Sequence, residues 1–156
     1  MSIIRIGLIS DTHGLLRPEA FRALEGVDRI LHAGDIGNAG VLSDLERLAP
    51  LSAIRGNNDT GDWARHIPET LQLDVGGIRI YLLHDLKAID LDPRREGIRV
   101  VVAGHSHRPG IHLRDGVLFV NPGSAGPRRF RLPISVGFLE IAGDDVAARI
   151  HELDMG

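Results

Sequence analysis

The sequence contains no cysteine among its 156 residues. Disulfide bonds and cysteine-ligated structural zinc are therefore excluded. Aromatic residues make up only 4% of the chain, and the single tryptophan and tyrosine, Trp63 and Tyr81, are predicted to be packing or rim residues. The composition is not strongly basic either, since 18 lysines and arginines stand against 21 aspartates and glutamates, a net charge of -3. Long nucleic acid and anionic membranes are therefore not expected as partners.

Long hydrophobic runs and internal boundaries are also missing from the chain. The apolar run Ile3–Ile9 contains Arg5 and leads directly to Asp11, so it is too short for a membrane span or for the apolar part of a signal peptide. We therefore expect a cytoplasmic protein. No linker, repeat or block of like charges divides the chain, and its length suits one domain with a sizeable core. We predict a single domain over residues 1–156.

The first third of the chain alternates between apolar strands and short helices. The predicted strands are Ile3–Ser10, Arg29–Ala33 and Leu51–Ile54. The first helix has Pro18 in its first turn and ends at Gly26, while the second is capped by Asn38 and closed by Pro50. This βαβαβ order predicts a parallel sheet with right-handed crossovers.

The remainder of the chain has more strands than helices. Turn-forming dipeptides or tripeptides predict three hairpins, which pair Leu71–Val75 with Ile78–Leu83, Ile111–Arg114 with Val117–Val120, and Ile134–Ile141 with Val146–Leu153. A short helix is predicted over Asp90–Glu96, and a buried strand runs through Val101 and Val102. The fold class is therefore α/β, with two β-sheets packed as a sandwich and helices on the outside.

Polar residues follow six of these predicted strands at the point where each strand ends. The candidate metal ligands among them are Asp11, His13, Asp35, Asn57, His84, His105 and His107. In α/β sheets, binding sites form beyond the carboxyl ends of the strands, so these side chains are predicted to converge. Seven ligands with one shared carboxylate would serve two cations, and a mixed imidazole and carboxylate set favours Mn, Fe, Zn, Co or Ni over Mg or Ca. Two cations about 3.5–4 Å apart can clamp a phosphoryl group and acidify a water to hydroxide.

At these motifs the chain resembles the calcineurin-like metallophosphoesterases, and specifically their small bacterial and archaeal phosphodiesterase branch. The motifs occur in the order Asp11-Thr12-His13, Gly34-Asp35, Gly56-Asn57-Asn58-Asp59, His84, Gly104-His105-Ser106-His107 and Asn121-Pro122-Gly123-Ser124. The resemblance implies two mixed sheets flanked by helices, two divalent transition metals with manganese first, and hydrolysis of a small phosphoester substrate by metal-bound hydroxide. It further suggests a homo-oligomer.

The resemblance also implies which residues share a metal. Asp11, His13, Asp35 and His107 would hold one ion, and Asp35, Asn57, His84 and His105 the other, with Asp35 bridging. Larger members carry a histidine where this chain has Asn58, which can bind a phosphoryl oxygen but cannot act as a general acid. Substrates whose leaving groups depart unaided should therefore be preferred.

Several residues keep two interpretations at this point. Asn57 could be only a turn residue, and Asp85, where the family commonly has glycine, is either a partner that orients an imidazole or a solvated loop residue. His32 is predicted to be a buried core histidine, whereas His66 could replace the missing proton donor. Arg128 belongs to a basic cluster that either faces solvent or binds a substrate phosphate.

Three functions remain open on the sequence alone. The first is a metal-dependent phosphoesterase, most directly a phosphodiesterase. The second is a protein-binding scaffold with weak or no catalysis, since the eukaryotic retromer subunit uses this fold for protein contacts. The third is a nuclease, which would need a basic groove that the net charge of -3 does not favour.

Overall fold

The computed structural model describes residues 2–155, which form ten β-strands, two α-helices and two short 3₁₀-helices. The strands are β1 Ile4–Ile9, β2 Arg29–His32, β3 Leu51–Ala53, β4 Thr70–Val75, β5 Ile78–Leu83, β6 Val100–Val102, β7 Gly110–Arg114, β8 Val117–Asn121, β9 Ser135–Ala142 and β10 Asp145–Glu152. The helices are α1 Pro18–Ala23 and α2 Ala39–Glu46, and the 3₁₀-helices are Asp62–Ala64 and Leu86–Ala88. No helix in this part of the chain is long and apolar enough to cross a membrane.

The first sheet has the order β10-β9-β1-β2-β3. Its β1, β2 and β3 strands are parallel, with Ile6 opposite Arg29 and Ile30 opposite Leu51, while β9 and β10 are antiparallel additions at one side. The predicted βαβαβ unit is therefore confirmed. It brings the carboxyl ends of β1 and β2 to the same edge of the sheet, where the loops that follow them lie side by side.

The second sheet has the order β4-β5-β6-β8-β7. Its three central strands are parallel, and the edge strands β4 and β7 pair antiparallel with β5 and β8 as two hairpins. Both sheets are therefore mixed, which confirms the predicted α/β sandwich. The central β5 and β6 strands are buried along most of their length because neighbouring layers cover both faces.

Aliphatic side chains fill the space between the two sheets. This core includes Ile6, Leu8 and Leu31 from the first sheet and Ile80, Leu82 and Val102 from the second. Burial of each such side chain contributes about 1.5–3 kcal/mol, so the sheets are held together chiefly by this layer. The core between the sheets is thus built from branched aliphatic side chains, in keeping with the low aromatic content of the chain.

The two α-helices cover only the outer face of the first sheet. Leu24 beside α1 and Leu45 of α2 are fully buried against Ile30. As predicted, Pro18 starts α1, and the Asn38 side chain caps α2 by accepting a 3.1 Å hydrogen bond from the Val41 amide. The helices therefore fix the loops that connect the parallel strands.

The helix predicted over Asp90–Glu96 is wrong, because this segment forms turns instead. The Glu96 amide donates a 3.1 Å hydrogen bond to the Asp92 carbonyl, which closes a single turn, and the Asp92 carboxylate caps this turn by accepting from the Arg94 amide. Gly97 then adopts a φ of 73°, which ends the segment. The outer face of the second sheet is consequently covered by turns and by the 3₁₀-helix Leu86–Ala88 rather than by an α-helix.

Candidate metal centre

Six of the seven predicted metal ligands meet beyond the carboxyl ends of the parallel strands. They form two groups, Asp11, His13 and His107 in the first and Asp35, His84 and His105 in the second, with ligand atoms within 4.8 Å of one another in each group. The groups adjoin each other, since His13 Nε2 lies 3.8 Å from Asp35 Oδ2 and His84 Nε2 lies 3.8 Å from Asp11 Oδ1. The predicted convergence therefore occurs, and we refer to these sets as the first and second ligand groups.

Asp11, two residues beyond β1, is held through only one of its carboxylate oxygens. Its Oδ2 accepts hydrogen bonds from Ser10 Oγ at 2.6 Å and from the His105 amide at 3.1 Å. Its Oδ1 is buried without a hydrogen-bond partner within residues 2–155 and lies 3.4 Å from His107 Nε2. Burial alone would raise the pKa of Asp11, but the contacts with His107 and Ser10 outweigh it and lower that pKa. An ionised oxygen therefore faces the imidazoles.

Asp35 lies at the junction between the two groups. Its Oδ1 accepts a 3.0 Å hydrogen bond from the Asn58 amide, and its Oδ2 accepts a 3.2 Å bond from the Asn58 side chain. Burial opposes ionisation, but the hydrogen bonds from His84 and from the Asn58 backbone lower the pKa of Asp35 to about 2. The carboxylate therefore carries a full negative charge at neutral pH.

His84, the residue directly after β5, has a fixed orientation. Its Nδ1 donates a 2.7 Å hydrogen bond to the Ala33 carbonyl, which leaves Nε2 pointing toward Asp35 Oδ2 at 3.2 Å. A backbone carbonyl on the far nitrogen is the usual support for a metal-binding histidine. Burial lowers the pKa of His84, but the Asp35 hydrogen bond and the charge of Asp11 raise it overall. A proton and a cation would thus compete for the same nitrogen.

The backbone is strained at most of the predicted ligands. Among the described residues, positive φ angles occur at Asp11 (56°), His13 (46°), Asp35 (54°), His105 (72°) and His107 (63°). The left-handed region costs a residue other than glycine about 1–3 kcal/mol, and such residues cluster at functional sites. The loops therefore hold these side chains in directions that relaxed loops would not favour.

Two buried side chains that lie in the quoted motifs but outside the predicted ligand set support the loops. The Asp59 carboxylate accepts three backbone hydrogen bonds, from Ile36 and Gly37 at 3.0 Å and from Gly56 at 2.9 Å. It thereby ties the loop after β2 to the loop after β3. Its position in the Gly56–Asp59 motif was visible, but no spacing in the sequence indicated which amides it would bind.

Ser124 is the second of these supports. Its hydroxyl donates a 3.0 Å hydrogen bond to the Asp11 carbonyl. Nearby, Asn121 Nδ2 donates 3.1 Å hydrogen bonds to the Gly104 carbonyl and to Ser106 Oγ. The loop after β8 therefore maintains the shape of two ligand-bearing loops.

His32 is a buried histidine with both ring nitrogens satisfied, as predicted for a core residue. Its Nδ1 accepts a 3.0 Å bond from the Gly34 amide, so its Nε2 donates to Thr12 Oγ1 at 3.0 Å. The Thr12 hydroxyl in turn donates to the Ile36 carbonyl at 2.7 Å. Burial lowers the pKa of His32 to about 4, so it is neutral and links the loops that carry Asp11 and Asp35.

Close packing explains the glycine that precedes the first histidine of the His105–His107 motif. A Cβ atom on Gly104 would lie 2.7 Å from Asp11 Oδ2. This distance is far below van der Waals contact, so any larger residue would displace the carboxylate. The loop after β6 can approach Asp11 only because this position has no side chain.

The remaining predicted site residues, apart from Asp85, are exposed at the surface. Asn57 is exposed in the turn between β3 and the 3₁₀-helix Asp62–Ala64. Asn58 beside it is also exposed, and its side chain donates a hydrogen bond to Asp35. Arg128 is exposed in the loop after β8, and His66 is exposed after the 3₁₀-helix. Asp85 Oδ1 accepts a 3.0 Å hydrogen bond from the Lys87 amide, while its Oδ2 lies 3.9 Å from His105 Nε2, beyond hydrogen-bond distance.

The donor set fits divalent metal ions. It combines four imidazoles and two carboxylates without sulfur, the mixture that suits first-row transition metals. Two of the atoms aimed into the centre, Asp11 Oδ1 and His13 Nε2, are buried without a hydrogen-bond partner within residues 2–155. Buried polar atoms of this kind need a partner, and a cation would supply one to both.

Comparisons with known proteins agree with this geometry. The calcineurin-like phosphoesterase superfamily domain matches residues 4–144. A probable metallophosphoesterase of Methanothermobacter thermautotrophicus is 34% identical, covering 93% of this chain and 90% of its own length. A phosphodiesterase of Methanocaldococcus jannaschii is 27% identical over 77% of this chain and 83% of its own length.

A solved structure shares the fold at lower sequence identity. Vacuolar Protein Sorting 29 from Cryptosporidium parvum superposes with a TM-score of 0.85 and 20% identity, covering 99% of this chain and 93% of its own. The superfamily match spans both ligand groups and nearly all of the sandwich. The chain therefore belongs to the calcineurin-like phosphoesterase superfamily.

Proposed function

We propose that this protein is a phosphodiesterase that hydrolyses a small phosphoester with two divalent metal ions bound in the first and second ligand groups. The observation that carries the proposal is the meeting of six ionisable ligands at one strand edge, with Asp35 within reach of both groups. The similarity to an archaeal phosphodiesterase supports the choice of reaction. The match over residues 4–144 supports a single domain over residues 1–156.

The proposed assignment follows the two groups. Asp11, His13 and His107 would hold one ion, and His84 and His105 the other, with Asp35 shared between them. Asn57, exposed in the adjoining turn, would complete the second set. Manganese is the first choice of metal, because this mixed donor set is neither the all-oxygen cage of magnesium nor a thiolate site.

When bound, two such cations supply positive charge for the phosphoryl oxygens and lower the pKa of a coordinated water. The protein's own groups would position the substrate. Asn58, whose side-chain amide reaches Asp35 at 3.2 Å, stands where it can also donate to a phosphoryl oxygen. Arg128, exposed in the loop after β8, offers a planar guanidinium for bidentate binding of a phosphate.

The proposed enzyme has a restricted choice of leaving group. Asn58 cannot donate a proton to a departing alkoxide, and loss of such a donor costs about 10²–10⁴-fold in rate. Diesters with acidic leaving groups, such as 4-nitrophenolate, should therefore be cleaved much faster than dialkyl esters. A series of phosphodiesters with graded leaving-group acidity measures this, and equal rates along the series would contradict the assignment of Asn58.

The decisive test is reconstitution. Metal-free protein is loaded with Mn²⁺, Co²⁺, Ni²⁺, Zn²⁺ or Fe²⁺, its metal content per chain is measured, and hydrolysis of bis(4-nitrophenyl) phosphate is followed. We expect two ions per chain and activity with at least one metal. Asp35→Ala and His105→Ala should each lose the activity and the full content of two ions. His151→Ala is the matched control, because that histidine is exposed on β10. Two bound ions without turnover of any diester would reject the enzyme and retain only the metal site.

A protein-binding scaffold is the second candidate function. The observation that favours it is two large apolar side chains exposed to solvent, Phe130 at 89% and Leu113 at 74%. A scaffold would bind its partner through such residues and would retain that binding in Asp35→Ala. Partner capture that depends on Phe130 and Leu113, together with an absence of turnover, would favour this alternative.

A further inference from the structure

A cavity of about 540 Å³ lies on the outer face of the second sheet, beside the second ligand group. Its walls include Ala103 just after β6, Phe119 of β8, and Leu86 of the 3₁₀-helix Leu86–Ala88. The cavity thus lies between this 3₁₀-helix and the outer face of the second sheet.

The cavity adjoins the candidate metal centre at His105, which belongs to the second ligand group. Gly104 and His105 line it, and the His105 side chain is 46% exposed there. The other edge of the His105 ring contacts the centre, with Nδ1 at 3.3 Å from His84 Nε2. A phosphoester bound at the two ligand groups would thus have room for one of its ester groups on the cavity side of His105.

The lining is suited to a planar, largely apolar group. The floor is formed by Val101, Ala103 and the ring of Phe119, while Lys87 and Arg108 stand exposed at the margin. Aromatic faces bind flat rings by offset stacking, and apolar lining favours groups without charge. The volume exceeds what a phosphate needs and falls in the range of pockets that take organic ligands.

We propose that this cavity binds the ester group that stays on phosphorus, and that the substrate is a phosphodiester with an aromatic or heteroaromatic substituent there. The inference rests on the proposed phosphodiesterase function and names its substrate class. The substituent could come from an aryl alcohol or from a nucleoside, and diesters of the two kinds distinguish them.

Three diesters with the same leaving group form the test, namely the 4-nitrophenyl esters of methyl phosphate, aryl phosphate and thymidine 5′-phosphate. His112 and Leu86 line the cavity and lie outside the two ligand groups, so His112→Trp and Leu86→Trp fill it. Leu113→Trp is the matched control, because Leu113 neighbours His112 on β7 and does not line the cavity. We expect both filling variants to lower kcat/KM at least fivefold for the aryl or nucleoside diester and to leave the methyl diester unchanged.

The outcome also separates a failure of this inference from a failure of the proposed function. A uniform change across the three diesters, or no change, in an active enzyme would overturn the cavity assignment and retain the phosphodiesterase. If no diester is turned over, thymidine 5′-monophosphate and methyl phosphate are titrated instead, with NMR shifts followed at Phe119 and Ala103. Shifts with the nucleotide alone would support the cavity site without catalysis, and their absence would reject it.

Discussion

The two ligand groups differ in how far they are enclosed. In the first group Asp11 and His107 are buried, and His13 is 22% exposed at its side chain. In the second group Asp35 and His84 are buried, but His105 is 46% exposed and the proposed fourth ligand, Asn57, lies at the surface. Burial of the ligands limits the access of water to a bound ion and so slows its release. We therefore expect a tight first site and an exchangeable second site, adjacent to the cavity.

Removal of Asp35 should cause the largest loss of metal affinity, because this residue is proposed to serve both sites. This carboxylate lies 3.2 Å from His84 Nε2 and 3.8 Å from His13 Nε2, so Asp35→Ala takes a ligand from both groups. Mutation of a residue that only orients a metal ligand lowers metal affinity by about 10–100-fold, and removal of a shared ligand should lower it further. Calorimetric titration of metal-free protein with Mn²⁺ measures the loss. Asp44→Ala, an exposed aspartate on α2, is the control.

A matched pair of histidine variants should sharpen the comparison. His107→Ala removes a buried imidazole from the first group, whereas His105→Ala removes an exposed one from the second. We expect His107→Ala to weaken the tight site and His105→Ala to weaken only the exchangeable site. Competition with a chelator, followed by the number of ions retained per chain, resolves the two sites. If both variants release the same ion with the same affinity, the two groups do not differ as their burial implies.

The sequence was sufficient to predict which residues converge but not how they are held. Strand patterns placed Asp11, Asp35 and His84 after β1, β2 and β5. Parallel pairing aligns the ends of β1 with β2 and of β5 with β6, and packing of the two sheets brings these ends together. The strained φ angles at five ligands were beyond reach, because only glycine announces a positive φ in a sequence. The three amides bound by Asp59 were equally hidden, since they come from two different loops.

The wrong helix over 90–96 has a similar cause. The segment Asp90–Glu96 before Gly97 was compatible with a short helix, but its backbone closes one turn, from the Glu96 amide to the Asp92 carbonyl, before the positive φ of Gly97 ends it. One hydrogen bond contributes about 0.5–1.5 kcal/mol, which is too little to extend so short a helix without an apolar face to bury.

His32 links the loops that carry Asp11 and Asp35, and its protonation in acid should lower the stability of the fold. Its folded-state pKa of about 4 lies below the usual value of 6.5, so the unfolded chain takes up a proton first as the pH falls. The free energy of unfolding should therefore decline from pH 6.5 to about 4, by about 3 kcal/mol in all for this residue. Urea unfolding of metal-free protein measures it. Relative to wild type, His32→Gln should remove this part of the slope and His151→Gln should not.

The smallest expected effect is at Asn58, which belongs to neither ligand group and acts on both through its bonds to Asp35. Asn58→Ala removes the 3.2 Å side-chain bond to Asp35 Oδ2 but keeps the 3.0 Å backbone bond to Oδ1. One such bond contributes about 1 kcal/mol, so metal affinity should fall about fivefold, and at both sites, because Asp35 Oδ2 faces His13 as well as His84. Asn58→Asp is the sharper probe. Its added carboxylate would repel Asp35 in metal-free protein but would attract a bound metal ion. If Ala and Asp variants bind metal alike, Asn58 does not act on Asp35.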